Sequence, residues 1–233
     1  MHKMALDERR SINGFWMRLG IEARKLKAIF MEPKQVGLSI ADRPTYIFPI
    51  LLILVLLILC NLLTVDIQAR DFINKRFNSD PVFQENLQRN LVYSIWRTRI
   101  GLKFFGIFLT SAFLFYAARV YNENFRFKTS LSIFVWSEVI RMSGYFITAL
   151  LVYLTKDPNC TISLALFMPR DSLMFIWLDA FNLFFLWEIL AMGAILAVIM
   201  KLKAMRGLAS SAIILGGCNV LFIMTYIFIN NPT

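Results

Sequence analysis

Glu138, Arg141, Asp179 and Glu188 are the residues of this 233-residue sequence whose placement could do chemistry, because all four sit inside apolar runs long enough to cross a bilayer. An ionisable side chain at mid-membrane costs roughly 2.5 to 3.5 kcal/mol on insertion scales, so such groups turn toward the bundle interior. Glu138 and Arg141 are three residues apart, on adjoining positions of one helical face, and can pair within their helix. Arg141 and Glu188 each fall about ten to thirteen residues into their runs, which puts both near mid-membrane in antiparallel neighbours at about 1.5 Å rise per residue. An interhelical Arg141–Glu188 pair is therefore available. Asp179 and Glu188, nine residues apart, point to opposite sides of one helix and cannot form a paired-carboxylate site within it. Asp179 shares a face with Asn182, and its depth matches that of Lys103 near the outer end of another run, where the lysine either snorkels or pairs with it. Three roles fit this cluster: polar glue between helices, a proton or ion pathway, or a seat for a lipid headgroup.

The elements that must position these charges are five apolar runs: Thr45 to Val65, Ile100 to Val120, Leu131 to Leu154, Phe175 to Met200 and Leu208 to Ile229. A spanning helix needs about 20 mostly apolar residues. With 58% hydrophobic residues and a mean hydropathy of +0.61, the chain reads as a polytopic membrane protein. Backbone amides in hydrocarbon must be satisfied within a helix or a closed barrel, and Ile47 to Leu59 has none of a barrel strand's alternation. The expected fold is all-α: five transmembrane helices plus an N-terminal interfacial amphipathic helix. Its expected organisation is a cytoplasmic segment, 1–44, and a transmembrane domain, 45–233, with an external loop at 66–99. The first apolar run begins too late and is too long for a cleaved signal peptide, so it should stay as an anchor.

Between Ile12 and Phe30 an apolar stripe carries Phe15, Trp16, Leu19, Leu26 and Phe30, while Arg18, Arg24, Lys25 and Lys27 lie off it. Such a helix suits the inner headgroup plane; it could equally pack on the protein's own spans. Ser79-Asp80-Pro81 reads as a helix start, Gly101 as a bend, and Pro169-Arg170-Asp171-Ser172 as the cap of the fourth span. Gly193 with Ala197, and Gly106, Gly144, Gly216 and Gly217, offer close helix approaches.

A cytoplasmic N-terminus puts 15 Lys and Arg inside, counting Arg119 at the end of the second span, against 8 outside. The positive-inside rule then favours an external C-terminus. The net charge of +10 is spread across loops in a hydrophobic chain and fits topology and anionic lipid, with no nucleic acid as partner. Cys60 and Cys218 lie in apolar spans and only Cys160 in a loop, so neither a disulfide framework nor a CxxC pair exists. The lone histidine, His2, and the lack of HExxH, GxxxxGK[ST] or GxSxG exclude histidine triads and zinc hydrolysis. No catalytic grouping, cofactor or metal is expected.

The order of these features resembles the Yip family, the Ypt/Rab-interacting-protein-like membrane domain, in its short bacterial form. The marks are the lead ending Ile29-Phe30-Met31-Glu32-Pro33, the Arg43-Pro44 step, Phe127-Lys128-Thr129-Ser130-Leu131-Ser132, and Asp179-Ala180-Phe181 with Trp187 and Gly193. The resemblance covers about Phe15 to Leu221 and implies five membrane helices with a cytoplasmic N-terminus. Eukaryotic relatives are associated with Rab GTPases, but their DLYGP-like signature is absent here, so Rab binding does not carry over.

These readings lead to a non-enzymatic protein of the bacterial inner membrane that organises or adapts membrane components. A transporter or channel for an ion, proton or lipid comes second, and a membrane-embedded enzyme third. The bilayer is the expected partner, with a protein partner or a homo-oligomer left open.

Overall fold

A computed structural model of the chain describes residues 17, 20–76, 81–158, 160–168 and 172–230. A first helix, α1, runs through 20–31. It is followed by α2 (Pro33–Asp42), α3 (Ile47–Arg76), α4 (Pro81–Arg119), α5 (Phe127–Thr155), a 3-10 turn (Leu164–Phe167), α6 (Leu173–Ala180), α7 (Leu183–Ile199) and α8 (Ala204–Asn230). The fold is all-α, as the unbroken apolar runs require. Among the described residues four segments are long and apolar enough to cross a membrane: Ile47–Asn74, Gln84–Arg119, Phe127–Thr155 and Ala204–Leu221.

α5 is the centre. Every residue from Ser132 to Ile140 is buried, and a helix enclosed on all sides has neighbours on all sides. They are α3, α4, α7 and the short α2, with α8 packed on the far side of α7. Serines make this enclosure possible by being small and by returning their hydroxyls to backbone: Ser130 Oγ donates to Ser111 O of α4 at 2.5 Å, and Ser137 Oγ to Phe134 O at 2.9 Å.

The fourth span is the first correction. The expected continuous helix from Phe175 to Met200 breaks at Phe181 and Asn182 into α6 and the 17-residue α7. Asn182 causes the break by acting as the N-cap of α7, its Oδ1 accepting from Phe185 N at 3.0 Å. The segment 66–99, expected as an external loop with a helix starting at Ser79-Asp80-Pro81, is helical on both sides of 77–80. α3 continues to Arg76 and α4 starts at Pro81, where the Ser-Asp-Pro signal placed a helix start; Ser79 and Asp80 lie outside the described residues. No proline and no glycine interrupts 66–76 or 82–99, so both helices run on past the apolar spans as a hairpin. α4 also passes through the expected bend at Gly101 without interruption.

Glycines decide where α7 meets α8. A Cβ at Gly193 would stand 2.8 Å from Leu208 Cα, and one at Gly207 would stand 2.9 Å from Ala197 Cβ, so only bare backbone fits this crossing. Gly144 faces the Phe184 ring in the same way. Gly106, Gly216 and Gly217 have nothing within 4 Å and are not the close approaches their size suggested.

Of the N-terminal stripe, Phe15, Trp16 and Leu19 lie outside the described residues, as do Ile12 and Arg18. Leu26 and Phe30 are half-buried against the core, and Ile29 is fully buried. Lys25, which the stripe left on the solvated side, is buried: its Nζ donates to Thr45 Oγ1 at 3.0 Å and pairs with Glu22 at 3.3 Å. Trp136 Nε1 of α5 donates to Thr45 O at 3.1 Å, so one residue of the α2–α3 linker ties α1 to the central helix.

Candidate functional site

The structure brings four of the six charged and polar candidates into one cluster spanning three helices. α5 contributes Glu138 and Arg141, α4 contributes Lys103, and α7 contributes Glu188. Glu138 accepts from Lys103 Nζ on one side and from Arg141 on the other, where the Nε contact measures 3.2 Å. Arg141 Nε also stands 3.2 Å from Glu188 Oε2. Depth explains the meeting. Glu138 lies eleven positions after Phe127 and Glu188 eleven before Ile199, about 16 Å along each axis.

Both carboxylates are fully buried, while Lys103 and Arg141 keep 17% and 18% of their side chains exposed. Two cations and two carboxylates give a formally neutral group, the condition under which charges persist at this depth. The cations also lie over rings, Arg141 at 5.8 Å from the Phe185 centroid and Lys103 at 5.6 Å from that of Tyr145. Glu188 differs from Glu138. It is within ion-pair distance of Arg141, yet neither of its oxygens accepts a hydrogen bond among the described residues, because the N–H groups of Arg141 are directed at Glu138.

Asp179 and Asn182 do not join this cluster, and the Lys103–Asp179 pair is not formed. Lys103 is taken by Glu138, and the break in the fourth span leaves Asp179 on α6, where its Oδ1 accepts from Thr161 at 2.5 Å and Ser163 at 3.0 Å. Nor does Lys103 snorkel. The break itself is well satisfied: Asn182 Nδ2 donates to Asp179 O at 3.2 Å and Asn219 Nδ2 of α8 donates to Ala180 O at 3.3 Å. Backbone freed at membrane depth needs such partners.

A second polar site was missed from sequence. Arg99 of α4 donates to Asn61 Oδ1 at 3.2 Å, Thr64 Oγ1 at 3.4 Å and Gln68 Oε1 at 2.5 Å, all on α3. The signal was present, since 61, 64 and 68 are spaced three and four apart on one face of an apolar helix. Arg99 lies at the end of the expected external loop, one residue before the second apolar run.

The Yip1 domain matches residues 27–227 of the chain. The chain belongs to the Yip1 family. No curated protein and no solved structure matches it. Every member of the charge cluster lies inside the Yip1 match, as do Asp179, Asn182 and Arg99, whereas most of the N-terminal stripe precedes it. Family and fold together make this a multi-pass integral membrane protein whose exposed apolar helix faces meet the lipid bilayer. Within the Asp179-Ala180-Phe181 mark, Phe181 stacks on Trp177 at 6.0 Å and meets Phe185 edge-on at 5.2 Å. Gly193 serves the α7–α8 crossing, and Trp187 is 41% exposed.

Proposed function

We propose that this Yip1-family protein is a non-enzymatic organiser or adaptor of membrane components, with 1–44 as an interfacial lead and 45–233 as the transmembrane domain. The observation that carries the reading is the closure of the charge cluster: Lys103, Glu138, Arg141 and Glu188 pair with one another and sum to zero. A neutral, interlocked centre holds α4, α5 and α7 in fixed register, which suits a scaffold that presents surfaces to partners. Exposed Ile21, Met31 and Leu38 on α1 and α2, beside exposed Arg24, Lys27 and Lys34, support a collar in the headgroup plane.

In this reading α6 and α7 together make a fifth, broken crossing of a bacterial inner membrane, with the N-terminus cytoplasmic and the C-terminus external. A cysteine placed at Thr233 is then labelled only from outside, and labelling only from the cytoplasm overturns the odd number of crossings.

Transport of an ion, proton or lipid is the second reading. It draws on the interrupted fourth span and on Glu188, a buried carboxylate without a hydrogen-bond donor among the described residues. Glu188→Gln separates the two. An organiser carrying it stays assembled and shows no flux phenotype, whereas Glu188-dependent flux in reconstituted liposomes overturns the leading reading.

A further inference from the structure

Arg99 stands apart from the other cations inside the bundle. Lys103 and Arg141 each meet a carboxylate, but the three partners of Arg99 are neutral, and among the described residues no acid pairs with it. Among the described residues its positive charge is held in place without a counter-ion. Asn61, 1% exposed, gives its Oδ1 to Arg99 and keeps an Nδ2 with no partner among the described residues. An unmet buried donor beside an uncompensated cation favours an anion there.

Asn61 also lines a groove of about 610 Å³ between α3 and α4. Its walls are Leu62 and Val65 of α3 with Val92, Trp96 and Ile100 of α4, and its polar lining comprises Arg89, Arg97, Tyr93 and Asp66. Arg89 is already engaged with Glu85 at 3.7 Å, which leaves Arg97 and Asp66, both exposed, in the lining and Arg99 beyond Asn61. Arg99 precedes Arg119 by twenty residues, about 30 Å along α4, the full thickness of the hydrocarbon. The groove therefore sits where α3 and α4 leave the apolar layer, with rings at the depth where Trp and Tyr collect.

We propose that this groove binds one anionic phospholipid. Its phosphodiester lies against Asn61, beside Arg97 and within the field of Arg99, and one acyl chain lies along Leu62, Val65, Trp96 and Ile100. An acyl chain explains the apolar walls, which a free phosphate would not use, and the missing counter-charge explains an anionic headgroup over a zwitterionic one. This site is separate from the Glu138 cluster and does not depend on the organiser reading.

The test uses the full chain in detergent, presented with equal phosphatidylglycerol and phosphatidylcholine of the same acyl composition and read by native mass spectrometry. The wild-type protein retains one phosphatidylglycerol at least tenfold over phosphatidylcholine. Asn61→Asp keeps an oxygen for Arg99 while supplying its missing counter-charge and removing the Nδ2 donor, so the preference falls to near parity with helicity by circular dichroism unchanged. Arg97→Gln, at an exposed position, lowers the preference severalfold and serves if Asn61→Asp fails to fold. Equal retention of the two lipids by the wild type, unchanged preference in a folded Asn61→Asp or in Arg97→Gln, or full displacement by inorganic phosphate would overturn the site. So would a crosslink across the groove to a second copy of the chain that lipid does not reduce.

Discussion

Arg141 Nε stands 3.2 Å from Glu188 Oε2, and through that approach the enclosed helix α5 holds α7 at mid-bundle. Arg141 is shared, because its other contacts go to Glu138 on its own helix. Removing Glu188 alone leaves two cations on one carboxylate. We expect Glu188→Ala to cost about 3 kcal/mol, the lower end for breaking a buried pair. Arg141→Met with Glu188→Ala should cost less than Glu188→Ala alone, since the remaining Lys103–Glu138 pair is neutral. Reversible unfolding by dodecyl sulfate, followed by circular dichroism, measures both. A double variant no more stable than Glu188→Ala would refute the coupling.

Glu138 carries a heavier load than Glu188, because both cations donate to it. Glu138→Gln should therefore destabilise more than Glu188→Gln in the same unfolding assay. Adding Lys103→Met to Glu138→Gln should recover part of the loss, as it removes the cation left without a carboxylate while Arg141 keeps Glu188. If Glu188→Gln proves the more damaging of the pair, Glu138 is not the hub.

How far the sequence could be read follows from what spacing encodes. Helical period and depth were enough to bring Arg141 within reach of Glu138 and Glu188, because both are properties of single helices. For Lys103 the sequence leaves snorkelling and a pair with Asp179 open, because the rotation of α4 about its axis, which decides its partner, depends on packing against α3 and α5. The break in the fourth span was hidden for a different reason: Asp179-Ala180-Phe181-Asn182 contains neither glycine nor proline. Only Asn182, a capping residue before Leu183-Phe184-Phe185, gave it away. The burial of Lys25 is not legible from the stripe, because a stripe counts apolar residues and cannot register a lysine matched to Glu22 and Thr45.

The cap at Asn182 makes its own prediction. Its Oδ1 serves Phe185 N at the start of α7, where no upstream turn supplies an acceptor. Asn182→Ala should cost about 1 kcal/mol and Asn182→Ser much less, since a serine hydroxyl can take the same amide. Equal midpoints for the two variants on thermal melting in detergent would show that the side-chain cap is not what stabilises the break.

Glycine positions of one residue type separate packing from propensity. At Gly193 a Cβ would meet backbone of α8, Leu208 Cα at 2.8 Å, and backbone cannot rotate out of the way as a flexible side chain can. Gly193→Val should therefore force α7 and α8 apart and cost about 1 to 3 kcal/mol, the range for overpacking a filled interior. Gly106→Ala and Gly216→Ala meet nothing within 4 Å, so only helix propensity acts on them. In water that term favours alanine by roughly 0.5 to 1 kcal/mol, and unfolding midpoints of these two variants should be unchanged or slightly raised. The comparison is internal to one protein and one assay. Should Gly216→Ala destabilise as much as Gly193→Val, the close crossing of α7 and α8 is not what fixes glycine at position 193.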